Sequence, residues 1–340
     1  MVSENERTVE VAAEPMAKVA MEAGRREIRT RPVSPEPKSG ETTIRLAFVT
    51  MVWRDYWLLE KWIAHNARLV PLRHLYVVNH GGDPEVDRIA AGYNVIHLPR
   101  DEVTIDLTPR RWEFLGGLTN GLLGFFDRVI CTDVDEFLVY VGDKPDLLTH
   151  LAATAIEGDA LAPVGLNLMP EEVPDATPEM PVLARTPHAL LSAKYTKPCI
   201  AARPLSYTIG GHGLRKGRFA VDPEVVLLHL HYVTPDYRER MAARVEIVEQ
   251  SRARNNASDT PKAMPARYWI NWSRPGKIRE RELEIFAKAA PMDVSDGFSP
   301  CAALLTAAMR TRQNKTVIEP AEISKAPVRV EWPEAWRLAI

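Results

Sequence analysis

Short apolar runs alternate with amphipathic stretches through the first third of the chain. Runs rich in β-branched and aromatic residues at 44–51, 73–80 and 94–98 predict three buried strands. Apolar residues recur at three- and four-residue spacing over 56–70 and predict a helix there, and a second helix is predicted over 84–92. This alternation of strands and helices implies a parallel sheet with right-handed crossovers.

The same pattern continues to the C-terminus with longer interruptions. Thr108-Pro109 predicts a helix start, because a capping residue precedes a proline at the first helical position. Val129-Ile-Cys131 is typical of a strand buried on both faces. Further elements are predicted as strands over 160–168, 194–204 and 225–232 and as helices over 145–155, 235–253, 279–290 and 299–309. We therefore expect an α/β fold, a mixed sheet flanked by helices with a helical C-terminal region.

Three segments of the chain differ in character. Residues 1–41 combine charges, alanines and prolines and predict a disordered N-terminal tail. Residues 42–255 carry the strand and helix pattern of one large domain. Residues 256–340 contain no readable motif and are expected to form a helical extension packed on that domain.

Composition narrows the class of protein. With 340 residues, 46% hydrophobic residues and a formal charge of −2, the chain can bury a sizeable core and lacks the basic excess of a general nucleic-acid binder. Three widely spaced cysteines, without a Cys-x-x-Cys pair, suggest neither a disulfide framework nor a cysteine zinc site. We see no signal peptide and no transmembrane run, so the expected location is the cytoplasm.

Three carboxylates follow the strand at Val129-Ile-Cys131. Asp133, Asp135 and Glu136 lie where that strand would end, which is the edge where open α/β sheets bind ligands. They suit a hard cation such as Mg²⁺ or Mn²⁺, and Asp133 and Asp135 would point the same way if the backbone stayed extended. In a chain with 26% charged residues, a solvated acidic turn is the alternative.

Two histidines lie in the apolar stretch over 225–232. His229 and His231 alternate, so an extended strand would place both rings on one face. Buried imidazoles need polar partners, and a lone one is usually a hydrogen-bonded core residue. Their residue types and spacing alone leave core packing and metal ligation open.

Three segments together resemble the family 2 glycosyltransferases, in the branch with an Asp-x-Asp-Glu-Phe box. They are Trp57-Leu-Leu-Glu-Lys-Trp-Ile-Ala-His-Asn66, Thr132-Asp-Val-Asp-Glu-Phe-Leu138 and Leu228-His-Leu-His-Tyr-Val-Thr234, in the family's order. The resemblance implies a GT-A fold, which is Rossmann-like, over residues 42–255. It also implies a nucleotide-sugar donor and a divalent metal, Mn²⁺ or Mg²⁺, that bridges the donor's two phosphates.

The resemblance also implies a set of metal ligands. Family members place a histidine close to the metal and diphosphate at the position of His229. The implied ligands are therefore Asp133, Asp135 and His229, with His231 the weaker assignment, and donor oxygens and water complete the shell.

Donor-binding roles transfer to further positions. In the family, the loop after the second strand contacts the nucleoside, which implies that role for Asn79 and Asp83. The first strand end reads Val52-Trp-Arg-Asp55 where members carry a basic residue, Asn and Glu, and this departure bears on the role of Thr50. Lys197 and His212 match a Lys-Pro and a Gly-His of the family.

A pair of arginines adds to the donor site. Arg110 and Arg111 lie in the first turn of the helix that starts at Thr108-Pro109, where the helix dipole disfavours cations. A nearby anion would explain them, and the donor diphosphate is the candidate, with Arg111 assigned to it. The alternative is that both are simply solvated.

The general base is the least determined residue. Family 2 enzymes generally invert, which requires a carboxylate to accept the proton of the acceptor hydroxyl. Glu136 is one candidate. The acidic, proline-rich loop over 169–181 supplies Glu171, Glu172 and Asp175 as others, although surface charge is the competing explanation for them.

The leading prediction is therefore a metal-dependent glycosyltransferase. It would move a sugar from a nucleotide-diphosphate donor to a saccharide, lipid-linked or other hydroxyl acceptor, with inversion, in polysaccharide synthesis and with peripheral membrane contact possible. One alternative is a metal-dependent phosphoesterase or nucleotidyltransferase that uses the same carboxylates. Another is a non-catalytic protein that binds sugar nucleotides or carbohydrates.

Overall fold

Four parallel strands form one half of the main sheet. A computed structural model describes residues 44–100, 107–170, 176–177, 179–237, 239–243 and 275–337. The parallel strands are β1 (Leu46–Val52), β2 (Leu75–His80), β3 (Asn94–Leu98) and β4 (Arg128–Cys131). Their order is β4–β1–β2–β3. Every residue of β1 is buried, as expected of an apolar run covered on both faces.

Helices connect the parallel strands. They are α1 (Tyr56–Asn66), α2 (Pro84–Ile89) and α3 (Leu107–Leu122). Trp62 of α1 lies against Phe48 of β1 at 6.4 Å between ring centroids, and its indole Nε1–H donates to Thr132 Oγ1 at 3.1 Å. Helix α1 is thereby fixed to the segment that follows β4.

Strands of mixed direction form the other half of the sheet. They are β5 (Glu136–Tyr140), β6 (Ala160–Leu168), β7 (His188–Leu191), β8 (Ile200–Ala201) and β11 (Phe219–His229). The two-residue β8 pairs with both β4 and β6 and so joins the two halves. Strand β11 lies parallel to β6 and antiparallel to β5. Helices α4 (Leu147–Ala153) and α5 (Val182–Arg185) lie in the connections.

The C-terminal region contains strands as well as helices. Its helices are α6 (Pro275–Lys288), α7 (Ser299–Ala307) and α8 (Pro320–Lys325). Strands β12 (Ala290–Pro291) and β15 (Val328–Glu331) extend the main sheet beyond β7. Strands β9 (Ser206–Tyr207), β10 (Gly213–Lys216), β13 (Met309–Arg312) and β14 (Lys315–Ile318) form a second, antiparallel sheet.

The structure confirms the predicted α/β class, a mixed sheet with flanking helices, as in Rossmann-like folds. The expected C-terminal helices are present, but the four strands among them are too short to leave an apolar pattern. The tail over 1–41 lies outside the described residues. Among the described helices, none combines the length and the apolar content needed to cross a bilayer.

The predicted strand over 194–204 is wrong for most of its length. Only β8 is extended there, because residues 192–197 form a turn that packs on β6. Gly165 of β6 donates its backbone N–H to Thr196 Oγ1 at 3.0 Å, and a Cβ at Gly165 would lie 2.2 Å from the backbone nitrogen of Thr196. A glycine at this position therefore allows the turn to approach the sheet.

We predict that Gly165→Ala destabilises the protein. The added methyl group would meet backbone atoms that cannot move aside, so the free energy of unfolding should fall by about 1–3 kcal/mol in urea titrations. Gly117→Ala is the matched control, because it lies exposed within α3 with open space around its Cα, and it should leave stability unchanged or raise it by up to about 1 kcal/mol. Equal stability of the two variants would contradict this account of the turn.

Candidate functional site

A tight turn at the end of β4 presents the acidic cluster. Glu136 donates its backbone N–H to Asp133 O at 3.0 Å, and Glu136 Oε2 accepts the backbone N–H of Asp133 at 3.0 Å. The backbone is therefore not extended here, and Asp133 and Asp135 do not contact the same partners. The condition under which both carboxylates were expected to point the same way, an extended backbone, is therefore not met.

Asp133 lies against cations. The ammonium of Lys197 is 2.6 Å from Asp133 Oδ2 and 2.5 Å from Glu136 Oε1, and the guanidinium of Arg111 binds Asp133 Oδ1. The side chains of Lys197 and Glu136 are 3% and 1% exposed, whereas Arg111 is 26% exposed. Arg111 is the fifth residue of α3, and the anion that it contacts is Asp133 of the protein itself. Its predicted contact with the donor diphosphate stays a prediction.

Lys197, Asp133 and Glu136 shift one another's pKa values. Burial would lower the pKa of Lys197, but Asp133 and Glu136 outweigh it and raise the pKa above its usual value. Burial favours the neutral acid at Asp133, yet Lys197 and Arg111 hold the pKa of Asp133 well below its usual value. Burial, with repulsion from Asp133 and Asp135, raises the pKa of Glu136 to about 7 despite Lys197.

Asp135 faces the two histidines. Its Oδ2 lies 3.6 Å from His229 Nε2 and 3.3 Å from His231 Nδ1, and one ligand atom from each residue lies within 4.8 Å of the others. Strand β11 ends at His229, and the next residues turn, with Val233 donating to Leu230 O at 3.1 Å. The rings nevertheless lie nearly parallel, 5.5 Å apart.

This donor set fits a divalent transition ion. Ligand atoms at adjacent corners of an octahedral site with bonds of about 2.1 Å lie about 3 Å apart, close to the separations from Asp135. Two imidazole nitrogens and one carboxylate suit Mn²⁺ better than Mg²⁺, which prefers oxygen ligands. Burial raises the pKa of Asp135, but the two histidines outweigh it and hold the pKa well below its usual value, so the carboxylate is ionised.

The predicted metal ligands are therefore only partly brought together. Asp135 and His229 lie in the cluster, His231 completes it, and Asp133 binds Arg111 and Lys197 instead. The residue types around 229–231 pointed to both histidines. The turn that separates Asp133 from Asp135 left no signal in the sequence.

Two neighbours hold the histidines in place. The ring of Tyr195 stacks on His229 at 3.7 Å between centroids and 16° between planes. The guanidinium of Arg240 donates to His231 O at 3.1 Å and to Thr234 Oγ1 at 2.7 Å, and it lies 3.3 Å from Asp55. Arg240 therefore connects the turn after β11 to the start of α1.

Three of the predicted donor-binding residues are buried or make hydrogen bonds within the protein. Thr50 is fully buried in β1. The side chain of Asn79 donates to Asp83 O at 2.9 Å and to Asp87 Oδ1 at 2.8 Å. Asp83 caps α2 by accepting from Glu85 N at 2.9 Å and also accepts from Tyr56 OH at 2.7 Å. These contacts shape the loop after β2.

A cleft of about 580 Å³ opens beside that loop. Its lining residues are Trp53, Arg54, Tyr56, Gly81, Gly82, Asp83 and Pro84. The guanidinium carbon of Arg100 lies 3.9 Å from the ring centroid of Trp53. Because β1, β2 and β4 are parallel, the cleft lies at the same sheet edge as the acidic turn. Sequence reasoning overlooked Trp53, although it directly follows a fully buried strand.

His212 lies on a glycine-rich loop. Its Nδ1 contacts Lys194 O at 2.7 Å and must donate to it, which leaves Nε2 as an acceptor. Burial, with the nearby charge of Lys197, lowers the pKa of His212 to about 4, so the ring is neutral. Gly211 has a φ of 69°, and a Cβ there would lie 2.4 Å from the Trp112 ring. Glycine therefore lets this loop close over α3.

Of the candidate general bases, the structure describes Glu136 alone. Glu136 is buried in its contact with Lys197. Glu171, Glu172 and Asp175 lie outside the described residues.

Comparison with known proteins leaves the family open. No protein-family model and no curated protein matches the chain. One similar solved structure is a mannosyltransferase from Pyrobaculum calidifontis in complex with GDP-Man and Mn²⁺, with 14% identity, 82% of this chain and 83% of that one covered, and a TM-score of 0.30. Another is a mannose-1-phosphate geranyltransferase from Thermus thermophilus, with 14% identity, coverage of 67% and 68%, and a TM-score of 0.26. Likeness at such TM-scores carries no weight for activity.

We predict that Lys197→Met lowers the free energy of unfolding by about 3–5 kcal/mol, because it leaves the buried carboxylate of Glu136 without a cation and Asp133 with Arg111 alone. Adding Glu136→Gln should recover part of that loss, since it removes one of the two charges. Lys325→Met removes an exposed ion pair with Glu322 and serves as the control, with no measurable change expected in urea titrations. A Lys197→Met protein as stable as the wild type would refute the central role of this ammonium.

Proposed function

We propose that the chain is a metal-dependent glycosyltransferase that uses a nucleotide-diphosphate sugar. The observation that carries the proposal is the group of Asp135, His229 and His231 beside the cations of Arg111 and Lys197. A divalent-ion site near the partly exposed guanidinium of Arg111 is suited to a diphosphate, and buried Lys197 holds Asp133 in place beneath that guanidinium. The motif resemblance points to the same chemistry.

Departure of a nucleoside diphosphate breaks one bond, between the anomeric carbon and an oxygen of the terminal phosphate, and leaves additional negative charge on that phosphate. A divalent ion held by Asp135, His229 and His231 would supply Lewis-acid stabilisation of that charge. Arg111 adds a fixed donor, because Asp133 already orients its guanidinium and no reorganisation is needed during reaction. In this proposal Asp133 orients the partly exposed guanidinium of Arg111 towards the donor, and Lys197 fixes Asp133 from the buried side.

The nucleoside would lie in the cleft beside Trp53. An indole ring offers a flat apolar surface on which a base can stack, and Arg54 and Arg100 lie close to that ring. Asn79 and Asp83 would then act by shaping the loop after β2, with Asp83 lining the cleft, and Thr50 would act only through the packing of β1. His212 would act as a neutral acceptor near Lys197.

An inverting reaction needs a base to accept the acceptor's proton. Glu136 is poorly placed for this role, because its carboxylate binds Lys197 and the backbone of Asp133 out of contact with solvent. We propose that Glu136 instead positions Lys197. The loop over 169–181, with Glu171 and Glu172, remains our candidate source of the base.

We expect a panel of nucleotide sugars to include one whose hydrolysis or transfer depends on Mn²⁺ and stops with EDTA. Asp135→Ala and His231→Ala should each lower that rate by about 100-fold or more, since each loses a metal ligand. His97→Ala changes an exposed imidazole on β3 and should leave the rate unchanged.

Product analysis separates the alternatives. Release of phosphate or pyrophosphate without sugar transfer would favour the phosphoesterase or nucleotidyltransferase. Binding without turnover would favour a binding protein. Full activity of Asp135→Ala, with unchanged dependence on Mn²⁺, would contradict the metal role.

We also expect Arg111→Met to weaken nucleoside-diphosphate binding about 10- to 100-fold in isothermal titration, since a charge-assisted contact contributes about 1.5–3 kcal/mol. Arg110→Met is the matched control, because it changes the same charge one residue earlier on an exposed part of α3. Equal loss in both variants would indicate general electrostatic attraction and not a specific contact.

A further inference from the structure

Two polar side chains, Asn167 on β6 and Glu282 on the C-terminal helix α6, form a hydrogen-bonded chain that ends at His229. The imidazole Nδ1 of His229 is 2.8 Å from Asn167 Oδ1, and Asn167 Nδ2 donates to Glu282 Oε2 at 3.3 Å. Asn167 lies on β6 directly opposite His229 of β11 in the strand register, and it is 2% exposed. The predicted site residues include neither Asn167 nor Glu282.

The direction of these hydrogen bonds is fixed by Glu282. An ionised carboxylate only accepts hydrogen bonds, so the amide NH₂ of Asn167 must face Glu282. The carbonyl Oδ1 of Asn167 then faces His229 and also only accepts. In its neutral form His229 must therefore carry its proton on Nδ1, which leaves the lone pair on Nε2, the nitrogen that lies 3.6 Å from Asp135.

We propose that Asn167, oriented by Glu282, is a positioning residue that selects the metal-binding tautomer of His229. The inference rests on the proposed function, because it assigns His229 Nε2 to the cation. A reversed amide would set its Oδ1 against the Glu282 carboxylate and its NH₂ against His229 Nδ1. That arrangement would favour a proton on Nε2 and block ligation.

The packing of α6 explains why Glu282 reaches this position. Phe286 of α6 and Ala289, which directly follows the helix, are buried against Met169 and Leu190, and Leu190 of β7 pairs with Asn167 of β6. Glu282 lies four residues before Phe286, so both side chains lie on the same side of the helix. The apolar contact therefore directs a carboxylate of the C-terminal region towards the centre of the site.

The proposal is tested by exchanging the amide of Asn167 and the carboxylate of Glu282. We expect Asn167→Leu to weaken Mn²⁺ binding by the full chain about 10- to 100-fold in isothermal titration, because the imidazole loses its acceptor. Glu282→Gln should also weaken it, since the Asn167 amide can then reverse. The double variant Asn167→Asp with Glu282→Gln keeps the net charge, restores an acceptor to His229 and should recover affinity to within a few-fold of wild type.

Glu284→Gln is the matched control, because it neutralises an exposed glutamate on the same helix and should change nothing. A structural role alone would not predict recovery in the double variant. Wild-type affinity in Asn167→Leu, or failure of the folded double variant to recover, would overturn the proposal.

Nitrogen NMR of ¹⁵N-histidine-labelled protein without metal, at a pH where the His229 ring is neutral, gives a second, independent test. His229 should carry its proton on Nδ1 in the wild type and in the double variant, and a mixture of tautomers should appear in Glu282→Gln. If the wild type binds no Mn²⁺ while these tautomers are as expected, the proposed function fails and the positioning role of Asn167 stands. A proton on Nε2 in the wild type would refute the positioning role itself.

Discussion

The ammonium of Lys197, buried between Asp133 and Glu136, is the contact on which the rest of the site depends. Two carboxylates in so small a volume repel strongly unless a cation lies between them. Lys197 lies at the end of the turn over 192–197. This turn can pack close enough to the two carboxylates because Gly165 leaves room for it on β6. Backbone packing and charge compensation are therefore two parts of one arrangement, and the same turn also places Tyr195 on His229.

The C-terminal region belongs to this arrangement. Strands β12 and β15 extend the main sheet, and α6 packs beside β6 with Glu282 close to Asn167. A segment whose sequence shows no motif thus contacts the residue that faces His229. Polar groups that act through another residue rarely form a short motif, because strands and helices distant in sequence bring them together.

Sequence reasoning reached the α/β class and the edge of the sheet where the site lies. Long apolar strands such as β1 and β6 leave a clear pattern, and the carboxylates after β4 could be located from it. It could not separate Asp133 from Asp135, because a single backbone hydrogen bond in a four-residue turn sends them to different partners. Short strands such as β8 and β12 depend on tertiary pairing and have no periodicity of their own.

Arg240 joins the two ends of the candidate site. It holds the turn that carries His231 and also contacts Asp55, at the start of α1 beside the cleft that contains Trp53. A ligand that shifts either end must act on the same guanidinium. Any coupling between ligands at the two ends of the candidate site would therefore pass through this guanidinium, and it would be reciprocal, each ligand changing the affinity of the other by an equal factor.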